Sequence, residues 1–358
     1  MAYQNVGTPR FYVNVFEWLI SKGLLTSTGS FHIETYFTTS ASNPLFHTLY
    51  DGVNDVQMLP SFGNIPYNSV MGDKSFIAFL GHNFSSADVK LVIQEGAPDY
   101  SAPHNIDLLV NGAWFPSTVS YDGFSIQTFD ISHWQQTNIP NRIRFESGTW
   151  EYEDENPYSG LGGIKIGSIV LGSYYDMPHS PDLSLTMERE YGGIKTIETK
   201  GGASLSNSFY NGNPKWGSLG AWELSSGTTS SQALSRSGRR VWNLSFSYLD
   251  DGDVFGSNQL LLTQREAEGY EPVYTTEGYS GELIGTEAFQ QNLLTHDNFF
   301  SQVIHKTNGG QLPFIFQPDG SNNNPDQFAI CKFDQNSFKF KQVANGVYNV
   351  SLKIREVW

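Results

Sequence analysis

Eight histidines are the first residues with chemistry to offer. His32, His47, His82, His104, His133, His179, His296 and His305 stand apart, and no two share the spacing by which one helix or hairpin holds a metal. They read as surface or hydrogen-bonded core histidines. Asp250, Asp251 and Asp253 offer the oxygens that calcium takes, but EF-hand spacing is absent and Gly252 marks a solvated turn. Glu151, Glu153, Asp154 and Glu155 make a second acidic loop, whose default is an exposed charged surface. The paired carboxylates of glycoside hydrolysis are defined by separation in space, so sequence spacing identifies none. There is no G-x-S-x-G elbow, phosphate loop, dinucleotide fingerprint or H-E-x-x-H motif. The expectation is a protein that is not an enzyme, with no catalytic residue, no cofactor and no metal ligand.

The aromatic residues are a different matter. Trp114, Trp134 and Trp150 fall near expected loops, where an indole can stack on a sugar ring, although large aromatics more often anchor a core or an interface. Trp216 and Trp222 sit in a stretch rich in Gly, Ser and Asn. The candidate contacts, with glycan or with a neighbouring subunit, are therefore Trp114, Trp134, Trp216 and Trp222.

The 36 acidic against 21 basic residues leave a net charge of -15, which disfavours binding to DNA phosphates, since that binding depends on Lys and Arg releasing counterions. No sequence-specific nucleic-acid partner is expected, yet an acidic wall suits a conduit along which DNA slides. The lone Cys331 excludes an internal disulfide, and its neighbours Ala329, Ile330 and Phe333 make it a buried strand thiol. Met1 to Gly23 lacks the basic start of a signal peptide, and Asn14 and Glu17 interrupt its apolar run; no membrane insertion is expected.

Tyr, Phe and Trp make up 14% of the 358 residues and turns are frequent, with 35 Gly and 16 Pro, so the chain reads as mainly β. Residues 1–24 read as a leading segment, 25–172 as one sandwich and 173–358 as a second. Val89, Leu91 and Ile93 alternate with polar neighbours, as do Ile143 and Phe145, while Phe76 to Leu80 is continuously apolar and reads as a central strand. Gly162, Gly163, Gly167 and Gly172 punctuate a closing strand through Ile164, Ile166 and Ile169, beside bends or bulges. Residues 192–229 read as a long excursion. Trp242, Leu244, Phe246 and Tyr248 should face one core.

One helix is expected near 296–307, with Thr295 as N-cap, Leu294 stapled onto Phe299, and Leu293, Phe300, Val303 and Ile304 as its inward stripe. Asn308-Gly309 ends it. Strands follow at Phe314 to Phe316, Phe328 to Phe333, Phe338 to Val343 and Val347 to Ile354. In the last hairpin, Phe338 and Phe340 share a face with Val350 and Leu352 only if Phe340 meets Val350. A three-residue loop, Ala344-Asn345-Gly346, satisfies that requirement.

Two stretches carry a resemblance. Phe76-Ile77-Ala78-Phe79-Leu80-Gly81-His82-Asn83-Phe84-Ser85-Ser86-Ala87, followed by Val89 to Gln94, resembles the discoidin-type, galactose-binding-like jelly roll of phage tail proteins. Arg142 to Glu146 and Gly163 to Gly172 are similar to its closing strands. Asp297 to Ser301, Leu312 to Asp319, Asn324 to Ala329 and Val350 to Glu356 resemble distal-tail and minor tail proteins, in which a tail-tube-like β sandwich carries one flanking helix. The resemblance implies an N-terminal jelly-roll sandwich followed by a ring-forming β sandwich, in a structural subunit of a phage virion. Its partners would be copies of itself in a homo-oligomeric ring and other tail or baseplate proteins, assembled in the bacterial host cytoplasm. The alternative is an adhesin whose jelly roll binds host-surface carbohydrate. The Ser- and Gly-rich excursion departs from a minimal tube subunit.

Overall fold

The computed structural model describes residues 6–23, 47–49, 56–58, 74–82, 89–95, 104–107, 123–130, 141–147, 164–166, 168–190, 195–207, 215–216, 219–220, 239–254, 296–323 and 327–357. Its described residues are mainly β, in antiparallel sheets with few helical segments. The largest sheet has ten strands. In spatial order these are Thr186–Glu190, Arg239–Asp250, Val347–Glu356, Ala329–Phe333, Phe314–Gln317, Arg10–Val13, Ser168–Asp176, Lys74–His82 and Gly123–Asp130, with Phe340–Ala344 added beside Val347–Glu356.

The leading segment is the centre of this sheet. Arg10–Val13 pairs with Ser168–Asp176 on one side and Phe314–Gln317 on the other. The division expected at 172/173 falls inside one strand, since Ser168–Asp176 runs unbroken from Leu80 to Arg10 as partners. The continuous apolar runs Phe11-Tyr12-Val13 and Phe314-Ile315-Phe316 follow from this position, because a central strand buried on both faces needs apolar residues at both parities. Phe11, Val13, Phe314 and Phe316 enter one core, while Tyr12 and Ile315 enter another on the opposite face with Phe76, Ala78, Leu80, Val170 and Phe328.

The first core is enclosed because the sheet curls. Arg239–Asp250 and Phe314–Gln317 have two strands between them, a separation of roughly 14 Å if flat. Yet the Trp242 and Phe316 rings are 5.2 Å apart, edge to face, so the two strands oppose each other across the core. Phe11 sits at its middle, 5.2 Å from Phe316 and 5.5 Å from Phe299.

Gly172 fixes how the chain enters this arrangement. A Cβ there would lie 1.7 Å from the Val13 carbonyl oxygen, so glycine is needed for backbone approach rather than for a bend or bulge. The chain passes over it into the helix Val15–Ser21, where the Asn14 side chain accepts the Glu17 N–H at 3.1 Å and Val15, Trp18 and Leu19 turn inward. Asn14, which interrupts the apolar run in sequence, is the cap.

The helix expected near 296–307 is a different object. Phe300–Ile304 is a π turn continued by a 3-10 turn, His305–Thr307. Asn298, not Thr295, caps it, its side chain accepting the Ser301 N–H at 2.8 Å; Leu293, Leu294 and Thr295 lie outside the described residues. The wider turn advances each residue less around the axis, so Ser301, Gln302, Val303 and Ile304 are all buried, and Phe299 replaces Phe300 as the deep aromatic. Asn308 in the left-handed region ends it, as expected.

The last hairpin pairs Phe340 with Val350 as the burial argument requires, and Phe338 and Phe340 pack on the same core. The loop differs from expectation: Ala344 pairs with Val347, leaving Asn345 and Gly346 at the tip, and the odd residue is taken up by a bulge at Val343. A bulge inside the strand corrects the register as well as a longer loop does.

A four-stranded sheet, in the order Val56–Met58, Asn141–Ser147, Val89–Glu95 and His104–Asp107, places Leu91 opposite Phe145 and Ile93 opposite Ile143, the face sharing that the alternation predicts. His47–Leu49 pairs with Ile164–Ile166. Within the excursion, Lys195–Glu198 pairs with Ser204–Asn207, and Lys215–Trp216 with Leu219–Gly220.

Candidate functional site

Three charged side chains and their partners are drawn into the fold. Arg240 and Glu356 have the same strand parity as the core residues Trp242 and Ile354, so both face inward. Glu356 accepts the Arg240 backbone N–H at 2.9 Å and its guanidinium at 3.1 and 3.2 Å; a further Arg240 N–H reaches the Phe328 carbonyl at 2.8 Å. Arg10 forms a two-pronged pair with Asp176, one contact at 3.0 Å, and lies over the Tyr174 ring. These pairs join strands distant in sequence and have structural roles.

Lys306 is the third. Its amine is fully buried, donating to Gln302 Oε1 at 2.7 Å and facing Ser173 Oγ at 3.4 Å. Gln302 is held in turn by donating to the His296 carbonyl at 2.7 Å. Burial drives the Lys306 amine down from 10.5 to about 7, against the opposing pull of Asp297. The unfolded lysine keeps its proton to its ordinary value, so between about pH 7 and 10.5 the folded state binds fewer protons and stability rises with pH. Above about pH 10 the trend reverses, because burial raises Tyr12 to about 12 and Tyr175 further, and the folded state then holds more protons than the unfolded. Lys306→Met should therefore stabilise the protein at pH 7, by roughly 2–3 kcal/mol once the lost hydrogen bond is discounted, with the gain shrinking toward pH 10. Urea midpoints of both proteins from pH 6 to 10 check this; a gain that does not change with pH would contradict it.

The Arg240–Glu356 pair and Lys306 are buried, and the Arg10–Asp176 pair is partly exposed. The outer surface offers contact chemistry instead. The solvent-facing side of the curled layer is a ladder of small polar groups: Asn243 donates to Thr186 Oγ1 at 3.1 Å, and the Ser245 and Ser351 hydroxyls are 3.2 Å apart. Large apolar side chains interrupt it. Tyr248 is 78% exposed and Leu183 85%, while the excursion hairpin exposes Ile197 at 63% and Leu205 at 61%.

Tyr248 departs from the sequence expectation, which put it in the core with Trp242, Leu244 and Phe246. The ladder slips between Phe246 and Leu249, Tyr248 takes φ 64°, and Leu249 is buried. A left-handed bulky residue costs of order 1–3 kcal/mol and persists only when its surroundings fix it. Here the Asn349 side chain accepts the Tyr248 N–H at 3.3 Å, the Ser247 hydroxyl donates to Asp182 at 2.9 Å, and Asp253 accepts the Asp250 N–H at 3.1 Å.

Of the residues singled out by sequence, Trp114, Trp134, Trp150 and Trp222 and the acidic loop 151–155 lie outside the described residues. Trp216 is placed only by its backbone, in the ribbon with Leu219–Gly220. Asp251–Val254 is a single helical turn that buries Val254. His179 donates its Nδ1–H to the Ser180 carbonyl at 2.8 Å, and His305 packs on Trp18. Cys331 is fully buried, as expected for a strand thiol. Among the described residues no three His, Cys, Asp or Glu converge as a metal site, and no helix is long and apolar enough to cross a membrane.

Sequence reasoning missed Arg240, Glu356 and Lys306, although a signal existed for each. Arg240 and Glu356 occupy the inward parity of strands otherwise apolar at that parity, and Lys306 follows the buried Val303 by three residues. No protein-family model, curated protein or solved structure matches the chain.

Proposed function

We propose that this chain is a structural subunit of a phage virion, built into the tail or baseplate as a distal-tail-like ring that links the tube to host-recognition parts. On this reading a jelly-roll-like part drawn mainly from residues 25–172 and a tail-tube-like sandwich with its flanking helix drawn mainly from 173–358 are joined through the shared strands Arg10–Val13 and Ser168–Asp176. The observation that carries it is the ten-stranded sheet, which among the described residues ends in two unlike strands. Thr186–Glu190 pairs on one side with Arg239–Asp250, and Gly123–Asp130 on one side with Lys74–His82. Unlike ends favour head-to-tail contact, and head-to-tail contacts that close under rotation give rings.

The two ends differ in kind. Thr186–Glu190 carries Glu188, Arg189 and Glu190, charges that discourage strand addition. Gly123–Asp130 has neither Lys, Arg nor Pro between Gly123 and Phe129 and is the better template for a neighbour. The net charge of -15 suits a wall past which DNA slides. Native mass spectrometry and negative-stain electron microscopy of the purified full chain should find one closed oligomer with a central opening. A monomer at all concentrations up to about 100 μM, well above the μM range of weak complexes, would sink the reading.

A further inference from the structure

Two exposed apolar patches stand out among the described residues, a ledge at one end of the edge ribbon Thr186–Glu190/Arg239–Asp250 and a hairpin that follows its other end in sequence. The first is the ledge made by Leu183 and Tyr248, where Thr186–Glu190 begins and Arg239–Asp250 nears its end. The second is the excursion hairpin, which follows the other end, where Glu190 pairs with Arg239. Tyr248 and Arg239 are nine residues apart along the strand, roughly 30 Å.

Each patch is costly as it stands. A two-stranded hairpin is marginal in water on its own. Here Ile197 stands directly opposite Leu205, so both side chains share one face, and both are more than half exposed. The tip is nonetheless well made. The Thr199 N–H donates to the Ala203 carbonyl at 2.9 Å, Thr199 Oγ1 accepts the Ala203 N–H, and Gly202 takes φ 79°. The ledge, for its part, holds an exposed tyrosine in a strained backbone conformation fixed by three hydrogen bonds. Strain maintained to present an aromatic side chain to solvent is expected of a contact residue.

Charge decides which partner fits. Asp182 and Asp250 border the ledge, and the hairpin tip carries the exposed Lys200. A lysine tip is complementary to that rim, whereas ledge against ledge would oppose carboxylates. A hairpin of one copy seated on the ledge of the next is a head-to-tail contact, the kind from which closed rings are built.

We propose that the hairpin Lys195–Glu198/Ser204–Asn207 of one copy docks through Ile197 and Leu205 on the Leu183–Tyr248 ledge of the next, with Lys200 meeting Asp182 and Asp250. This rests on the ring reading and names the joint. The contact is too small to hold two chains by itself, given the roughly 1,200 Å² that stable pairs bury, so it adds to the other contacts of a closed ring.

Cross-linking tests it in the full chain, whose one native cysteine is buried. Leu205→Cys chains and Tyr248→Cys chains are prepared separately, mixed, and oxidised. The expected result is a cross-linked pair at least tenfold more abundant in the mixture than in either protein alone. Equal cross-linking of Leu205→Cys with itself would overturn the proposal in favour of hairpin-to-hairpin pairing, and no cross-link in the mixture would overturn it outright. Charge reversal gives a second measure. Lys200→Asp and Asp250→Lys should each raise the concentration for half assembly several-fold at low salt, and the double variant should recover most of the loss. If the oligomer forms as before in Ile197→Asp/Leu205→Asp, the joint is wrong while the ring reading stands. If the wild-type chain never assembles, both fail.

Discussion

Gly172→Ala is expected to destabilise the fold by about 3 kcal/mol or more, as overpacking against backbone does when no side chain can yield. The added methyl would sit 1.7 Å from the Val13 carbonyl oxygen and 2.8 Å from the Val15 nitrogen. Neither atom can move freely. Val13 is held in register opposite Ser173 and Phe314, and Val15 begins a helix whose Trp18 and Leu19 are buried. The clash is relieved only by shifting Arg10–Val13, and with it Phe11, around which the aromatic core is packed. Gly201→Ala is the control, since a Cβ there meets nothing nearer than 4.0 Å and its backbone does not require glycine. Urea unfolding of the two variants should show a large drop in midpoint for the first and almost none for the second. A Gly172→Ala protein within 1 kcal/mol of wild type would mean that the strand and helix do not approach as described.

Arg240→Met is expected to cost about 3–5 kcal/mol, for a different reason. Removing the guanidinium takes from the fully buried Glu356 carboxylate the two hydrogen bonds and the positive charge that the Arg240 side chain supplies. It also releases the Phe328 carbonyl, which links the last strand to the second core. Removing both charges is less damaging than removing one, so Arg240→Met/Glu356→Met should recover more than half of the loss. Chemical denaturation of the two singles and the double gives the coupling directly. Additive losses would show that the pair is not a unit. The exposed pairs make a useful contrast: Lys74 with Asp297 and Lys353 with Asp334 are open to water, and breaking either should change stability little.

The strands were legible because apolar residues at every second position leave few other ways to bury one face. Arg239–Asp250, Ala329–Phe333 and Val347–Glu356 lie where alternation puts them, and the Phe340–Val350 pairing follows from burial alone. The failures are local insertions. At Tyr248 and Val343 one extra residue interrupts the two-residue period, and nothing in the flanking sequence marks which residue is displaced. The helical segment differs similarly: Asn298, Val303 and Ile304 carry a helical signal, but whether the turn is α or π depends on how it packs against the paired strands Ser168–Asp176 and Arg10–Val13.

What the sequence determined by itself, for stretches such as 239–246, 329–333 and 347–356, is that they are strands and which parity turns inward, because both are set by neighbours a few positions away; Arg10–Val13 carried no such signal. What only the tertiary structure decided is who pairs with whom. Backbone hydrogen bonds carry no residue identity, so a strand's partner is chosen by the total apolar surface the pairing buries. That choice inserts Arg10–Val13 between strands more than 150 and 300 residues distant. It also sets Arg240 against Glu356, closes Lys306 over Gln302, and leaves Leu183, Tyr248, Ile197 and Leu205 facing outward, where a neighbouring copy can cover them.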